Sequence, residues 1–447
     1  MRAVLADLST PRYLWTAAAQ KVPRGLGKQA GWQRGGLLRL VPNYPEPRLP
    51  DAPGWVRLRP ELAGICGSDV AVAHAKSSFV LSAFYRAERQ IPGHEIVATV
   101  AEVGPGVTRV APGDRVVMDP VLACEQRGFD PPCRSCGQGF PYVCERFDLP
   151  GVTGCASPTQ GFDAALGGGW AEQVVAHESQ LFFVGDIPAT RAVLAEPASI
   201  ALHAALQWRR RGDRAVVIGP GTIGLLVTAA LRMLHPDLDV AVVAPGEFGA
   251  DAAMAAGASR TLPTGAAAIT SLADSDGGRA LKARLTALPI LERGVDAVFD
   301  CVGSPDTIDL ALHLLHPTGM LVLVGSAGKQ EVDWSLVWNR QLTVQGTINC
   351  GPEPALNGTH TMAQVVEWLA DPAYPVDGIV THTYDLEAFA QGLATASSGP
   401  AAGAIKVTLR PDPTIPLVSA PAVSAENPGS IHIGLPGGSP RSLNQED

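Results

Sequence analysis

Three side-chain types that bind metal occur in Leu62-Ala63-Gly64-Ile65-Cys66-Gly67-Ser68-Asp69 and in Ile91-Pro92-Gly93-His94-Glu95. Cys66, His94 and Glu95 are one soft, one borderline and one hard ligand, and zinc accepts all three. Taken alone, Cys66 would suit a small buried hydrophobe. A further carboxylate candidate is Glu196 in Leu194-Ala195-Glu196-Pro197-Ala198, although a Glu before a Pro also suits an ordinary helix start. Catalytic zinc takes three protein ligands and keeps a fourth position for water or substrate, so the set offers Lewis-acid chemistry.

A second group, Cys124, Cys133, Cys136 and Cys144, holds half of the eight cysteines. Four thiolates satisfy a closed tetrahedral zinc, which stiffens a loop too short to bury a core of its own. Such crowding speaks for a metal site in a reducing compartment more than for a disulfide framework. Eight residues, Glu125 to Pro132, separate Cys124 from Cys133. Cys124 is favoured over Cys155 as the fourth ligand because Pro120, Pro131 and Pro132 can turn the chain back.

Ile218-Gly219-Pro220-Gly221-Thr222-Ile223-Gly224 is a G-x-G-x-x-G between a β-branched run and an apolar stretch free of Gly and Pro. Strand, glycine turn and helix in that order place a pyrophosphate on a helix N-terminus. Gly219 makes the turn, Gly221 admits the phosphate and Gly224 lets helix pack on strand. An acidic residue that reads the ribose of NAD is expected about 20 residues further on, and Ala244 stands there, followed by Pro245-Gly246-Glu247. The missing carboxylate leans toward NADP and Glu247 against it, so NAD and NADP both stay open.

The positioning elements follow from periodicity. Arg2 to Leu8, Leu37 to Val41 and Trp55 to Leu58 read as strands of a first half. Arg214 to Ile218, Val240 to Val243, Val295 to Asp300 and Met320 to Val324 alternate with helical stretches, as in a doubly wound parallel sheet. Gly303 and Gly325 each follow a strand where loops approach a cofactor. The chain has 447 residues, 46% hydrophobic and 17% charged, enough for two domains with cores. A formal charge of −9 argues against nucleic acid or an anionic membrane as partner. No apolar run is long enough for a membrane span, and Met1 to Leu8 lacks the pattern of a signal peptide, so the expected location is cytoplasmic.

Gly64-Ile65-Cys66-Gly67-Ser68-Asp69, Pro92-Gly93-His94-Glu95, Gly104-Pro105-Gly106-Val107, Pro112-Gly113-Asp114-Arg115-Val116, the cysteine group, Glu196-Pro197 and the glycine fingerprint stand in one order. In that order the chain resembles the zinc-dependent medium-chain dehydrogenase/reductase family, nearest to its polyol and threonine dehydrogenase branches, from about residue 1 to 410. The resemblance implies an α/β fold: a GroES-like β-rich catalytic domain over 1–197, a Rossmann domain over 198–348, and a return to the catalytic domain over 349–410. Residues 411–447, rich in Pro, Ser, Gly and Asn, read as a flexible tail, and 21–36 as an inserted loop.

The resemblance also implies that Cys66, His94 and Glu196 bind catalytic zinc, with Glu95 able to enter the coordination sphere. Ser68 would exchange the substrate proton and Asp69 would accept from a ligand histidine. Family members commonly carry a relay histidine at the position of Ala71, which leaves His74 or water in that role. The cysteine lobe keeps C-x2-C-x7-C of the family pattern and departs at Cys124. Ser77 to Gln90, with Phe79, Phe84 and Tyr85, would line the substrate cleft or simply pack on the surface.

The implied activity is hydride transfer between NAD or NADP and a small alcohol or carbonyl compound: a secondary alcohol, polyol, sugar-like or amino-alcohol substrate. A homodimer or homotetramer is usual for such families. Alternatives are a carbonyl or enone reductase without catalytic zinc, and a non-catalytic protein that binds nucleotide and zinc.

Overall fold

The computed structural model describes residues 1–20, 36–209 and 212–419. Most of the inserted loop, 21–35, lies outside them, as does the tail from 420.

The first half is built on antiparallel pairing. β1 (Ala3–Asp7) pairs with β2 (Leu38–Val41) and β4 (Arg89–Gln90). β3 (Trp55–Gly64) runs six residues past the expected Leu58 and organises a larger sheet with β5 (Ile96–Val103), β6 (Arg115–Met118), β7 (Val174–His177) and β8 (Leu181–Phe183). β3 is long because nearly every side chain along it is buried, as befits a strand covered on both faces.

The second half is a six-stranded parallel sheet. It uses β9 (Arg214–Ile218), β10 (Asp239–Val243), β11 (Arg260–Leu262), β14 (Val295–Asp300), β15 (Leu315–Leu323) and β16 (Thr343–Gly346). A small hairpin, β12 (Ala280–Leu281) with β13 (Ile290–Leu291), stands apart. The sheet order β11-β10-β9-β14-β15-β16 places β9 and β14 at the centre, and Ile218 lies opposite both Val243 and Asp300. This is the doubly wound arrangement expected, with its switch point at the carboxyl end of β9.

The chain then returns. β17 (Val380–Asp385) and β18 (Lys406–Arg410) join the larger sheet built on β3, and Thr408 pairs with Gly64. The tail expected to be free from 411 is docked for its first residues. Arg59 bonds the Asp412 carboxylate at 2.6 Å, and the Ala189 amide donates to the Val418 carbonyl at 2.8 Å. Composition cannot see such tertiary anchors.

The domain boundary expected between residues 197 and 198 lies within one unbroken helix, Ala195–Gln207. Pro197 sits in its first turn, where proline costs no hydrogen bond. The inner residues of this helix share a core with the helix Thr222–Leu234 and with strands of both sheets. Among the described residues, no helix is long and apolar enough to cross a membrane.

Candidate active site

Cys66 ends the segment after β3 and stands at the N-terminus of a short helix, Gly67–Ala73. Asp69 fixes it there: its carboxylate accepts from the Cys66 amide at 2.9 Å. His94 sits in a loop clamped by backbone bonds, from the Gly169 amide to the Gly93 carbonyl at 2.8 Å and from the Trp170 amide to the Pro92 carbonyl at 2.9 Å. Gly93 has φ +90°, and a Cβ there would fall 2.4 Å from the Trp170 ring, so a glycine is required before this histidine.

The ligand atoms of Cys66, His94 and Glu95 all lie within 4.8 Å of one another. Glu196, in the first turn of its helix and 7% exposed, falls outside that tight set, although its charge acts on His94. Burial opposes charge on His94, but the Cys66 side chain, Asp69 and Glu196 outweigh it and raise the imidazole well above its usual range. Burial pushes the Glu196 carboxyl up to about 8. Two buried polar atoms here have no partner, Ser68 Oγ and His94 Nδ1. Orphaned polar atoms among converging soft and hard donors fit a bound metal ion and substrate.

Three of the expected site residues make contacts that the sequence did not signal. Asp69, expected to accept from His94, accepts instead from the Cys66 amide, and its charge acts on the imidazole. The ring nitrogens of His74 contact Gln20 Oε1 at 3.0 Å and Ser397 Oγ at 3.1 Å. Glu95 lies in the ligand set, yet Lys406 holds both its oxygens, each 2.7 Å from Nζ. Lys406 was not anticipated, although a lysine inside the buried strand Ala404-Ile405-Lys406-Val407 is itself a signal, since such a charge needs a buried partner.

Of the expected cleft segment, Phe79 to Ala83 is a short 3-10 helix with Phe79 and Val80 largely exposed. Tyr85 points inward. Its ring lies 4.8 Å from Phe162, and Phe162 lies 5.2 Å from the His94 ring. Phe162 thus forms an aromatic wall beside the group of Cys66, His94 and Glu95, unsignalled by any motif.

Cys124, Cys133, Cys136 and Cys144 also converge within 4.8 Å, and Cys155 is not among them. The amides of Cys136 and Glu145 point at Cys133 Sγ, at 3.4 and 3.5 Å. Against the opposing effect of burial, these bonds lower the Cys133 thiol to about 6. Burial raises the Cys136 thiol, and the Cys144 thiol to about 11, so it is the tight convergence of four sulfurs that fits a structural zinc.

At the nucleotide turn, Gly219 has φ +99°, a Cβ on Gly224 would fall 1.8 Å from the Gly219 carbonyl oxygen, and Gly221 faces open space. The helix Thr222–Leu234 starts with no side chain capping its amides, which suits an anion there. Thr222 Oγ1 donates to the Ile405 carbonyl at 3.1 Å, next to Lys406. Gly303 and Gly325 pack on each other: a Cβ on Gly325 would come 2.6 Å from the Gly303 nitrogen. Asp300 shapes that loop by accepting from the Val302 and Gly303 amides. Ala244 is buried, and Glu247 is the exposed first residue of the next helix, Glu247–Ala255.

Residues 52–186 match the family described as alcohol dehydrogenase GroES-like domain, and residues 222–371 match the family described as zinc-binding dehydrogenase. The erythritol/L-threitol dehydrogenase of Mycolicibacterium smegmatis is 29% identical over 371 residues, covering 80% of this chain and 91% of that protein. The crystal structure of 2R,3R-butanediol dehydrogenase from Bacillus subtilis superposes with a TM-score of 0.64 at 24% identity, covering 84% of this chain and 96% of that one. A zinc-binding dehydrogenase from Sinorhizobium meliloti, solved with NADP, gives a TM-score of 0.61 at 23% identity, covering 84% and 95%.

Proposed function

The chain belongs to the zinc-dependent alcohol dehydrogenase family of medium-chain dehydrogenases/reductases and is an NAD(P)-dependent oxidoreductase; from that premise we propose that it interconverts a polyol or other secondary alcohol and its carbonyl compound at Cys66, His94 and Glu196. The observation that carries this reading is the meeting of Cys66, His94 and Glu95 beside a buried Ser68 hydroxyl without a partner.

Zinc held there supplies Lewis acidity that lowers the pKa of a substrate hydroxyl, and the nicotinamide supplies the hydride acceptor or donor. The protein's own residues do the rest. During oxidation Ser68 Oγ accepts the substrate proton while passing its own to water, and during reduction the same exchange runs in reverse. Phe162 and Tyr85 shield the His94 side of the pocket from water, which strengthens every charge interaction inside. Lys406 holds Glu95 beside Cys66 and His94. The uncapped amides of Thr222–Leu234 receive the pyrophosphate, and the open space at Gly221 gives it room.

A carboxylate as third ligand makes the site harder than one with two thiolates, which favours an oxygen-rich substrate. The polyol names among the relatives agree with that choice. The test is zinc content together with turnover on a panel of polyols, diols and amino alcohols with each nicotinamide nucleotide. Two zinc ions per chain, polyol turnover, and loss of turnover with retained fold on Cys66→Ala are expected. Turnover that survives Cys66→Ala would overturn the assignment.

A further inference from the structure

Arg127 is fully buried, with 0% of its surface exposed, yet it makes no ion pair with a carboxylate among the described residues. It closes the helical turn Cys124–Arg127, which occupies part of the long interval between Cys124 and Cys133. Every hydrogen bond from its guanidinium goes to a main-chain carbonyl. Nε reaches Leu122 at 3.2 Å, Nη1 reaches Leu149 at 2.8 Å and also Cys155, and Nη2 reaches Ser157. These acceptors lie just before Cys124 and after Cys144 in the chain, so the side chain sits at the base of the cysteine lobe. Gly151 packs so closely on it that a Cβ would fall 2.2 Å from the Arg127 carbonyl oxygen.

Carbonyls solvate a guanidinium but do not neutralise it, and a buried charge needs an opposite one. The acidic groups that act on Arg127 are, strongest first, Cys155, Cys144, Asp163 and Cys124; burial pushes the Cys155 thiol up to about 12, so it stays neutral. Asp163 accepts from the amides of Ala156 at 3.1 Å and Ala165 at 2.9 Å, which orients its carboxylate without cancelling its charge, so its share is tested separately. Arg134 is exposed, and Arg146 lies over the Phe129 ring while donating to the Pro131 carbonyl. Neither occupies the interior. A divalent ion with four thiolates carries two net negative charges, and these also need a neighbour of opposite sign.

We propose that Arg127 is the buried counter-charge of the four-cysteine centre and thereby sets how tightly that centre holds its metal. The guanidinium and the thiolate cluster are each costly alone in the interior, and each compensates the other. The proposal rests on the reading that the four cysteines bind zinc.

Full-length protein carrying Cys66→Ala, which removes a ligand from the other metal site, is titrated with Zn2+ against a chromophoric chelator. Arg127→Gln is expected to weaken zinc binding by about 10- to 100-fold, the usual consequence of losing a group just outside a metal's ligands. Arg127→Lys, which keeps the charge and loses the fan of carbonyl bonds, should stay within about threefold of the Arg127 protein. Asp163→Asn should not weaken binding. The proposal fails if Arg127→Lys loses as much affinity as Arg127→Gln, because the side chain is then only a strap. It also fails if Asp163→Asn reproduces the loss. If Arg127→Gln does not accumulate as folded protein, Arg127→Lys decides alone, and a drop of tenfold or more overturns the counter-charge role. A Cys66→Ala protein that binds no zinc at all would instead overturn the four-cysteine reading.

Discussion

Lys406 and Glu95 meet as a buried ion pair, the ammonium 2.7 Å from each carboxylate oxygen, although 311 residues separate them along the chain. Lys406 Nζ also donates to the Ile65 carbonyl at 3.2 Å, next to Cys66. The closing strand of the protein therefore supplies a charge to the pocket built by its first hundred residues. Lys406→Met would strand Glu95 in the interior, and a loss of about 3–5 kcal/mol is expected in urea unfolding. Glu95→Gln added to it should recover part of that loss. An undiminished midpoint in the single variant would show that Glu95 finds another partner.

Ser68 should behave in the opposite way. Its buried Oγ makes no hydrogen bond, so Ser68→Ala removes no native contact and should shift stability by no more than about 0.5 kcal/mol. Its kcat should fall by about 10²- to 10⁴-fold, the usual loss on removing a proton-transfer group. Zinc content should be unchanged. A stable variant with full turnover would take Ser68 out of the proton path.

Glu196 gives the metal pocket a pH dependence. Burial raises its carboxyl to about 8 from 4.5, helped by Glu95 and Asp119 and opposed by His94 and Lys406. Within that interval the metal-free native chain keeps a proton that the unfolded chain has lost, so stability of the metal-free protein falls as pH rises. Zinc must displace the same proton, and its affinity should increase with pH toward about 8. Chelator competition between about pH 6 and 8 measures the slope, which Glu196→Gln should flatten.

Gly224→Ala tests the nucleotide turn. A Cβ there would lie 1.8 Å from the Gly219 carbonyl oxygen, and backbone cannot give way as a side-chain tip can. The helix N-terminus must move, and affinity for NADH or NADPH, read by fluorescence titration, should fall by at least about tenfold. Gly221→Ala meets no protein atom within 4 Å, so fold and melting temperature should survive while nucleotide affinity falls. Equal affinity in that variant would move the phosphate elsewhere.

Legibility from sequence followed locality. The glycine turn was readable because strand, turn and helix are contiguous, and the parallel sheet because its strands are short β-branched runs. Cys66 and His94 were readable because ligand residue types stand in distinctive short motifs. What stayed hidden was long-range. Lys406 reaches Glu95 through strand pairing between β18 and β3, Phe162 reaches His94 across a loop, and His74 turns to Gln20 and Ser397. Asp412 is anchored by Arg59 in a stretch whose composition looks unstructured. None of these contacts leaves a periodic trace, and Lys406 alone left a clue, as a charge in an otherwise buried strand.

The unbroken helix Ala195–Gln207 brings a mechanical consequence. Glu196 rides on a rod whose buried flank is seated against Thr222–Leu234, whereas Cys66 and His94 are rooted in the antiparallel sheet. If Glu196 joins Cys66 and His94 around an ion, that cage is stitched across a seam, and whatever shears one lobe against the other would also loosen the stitch.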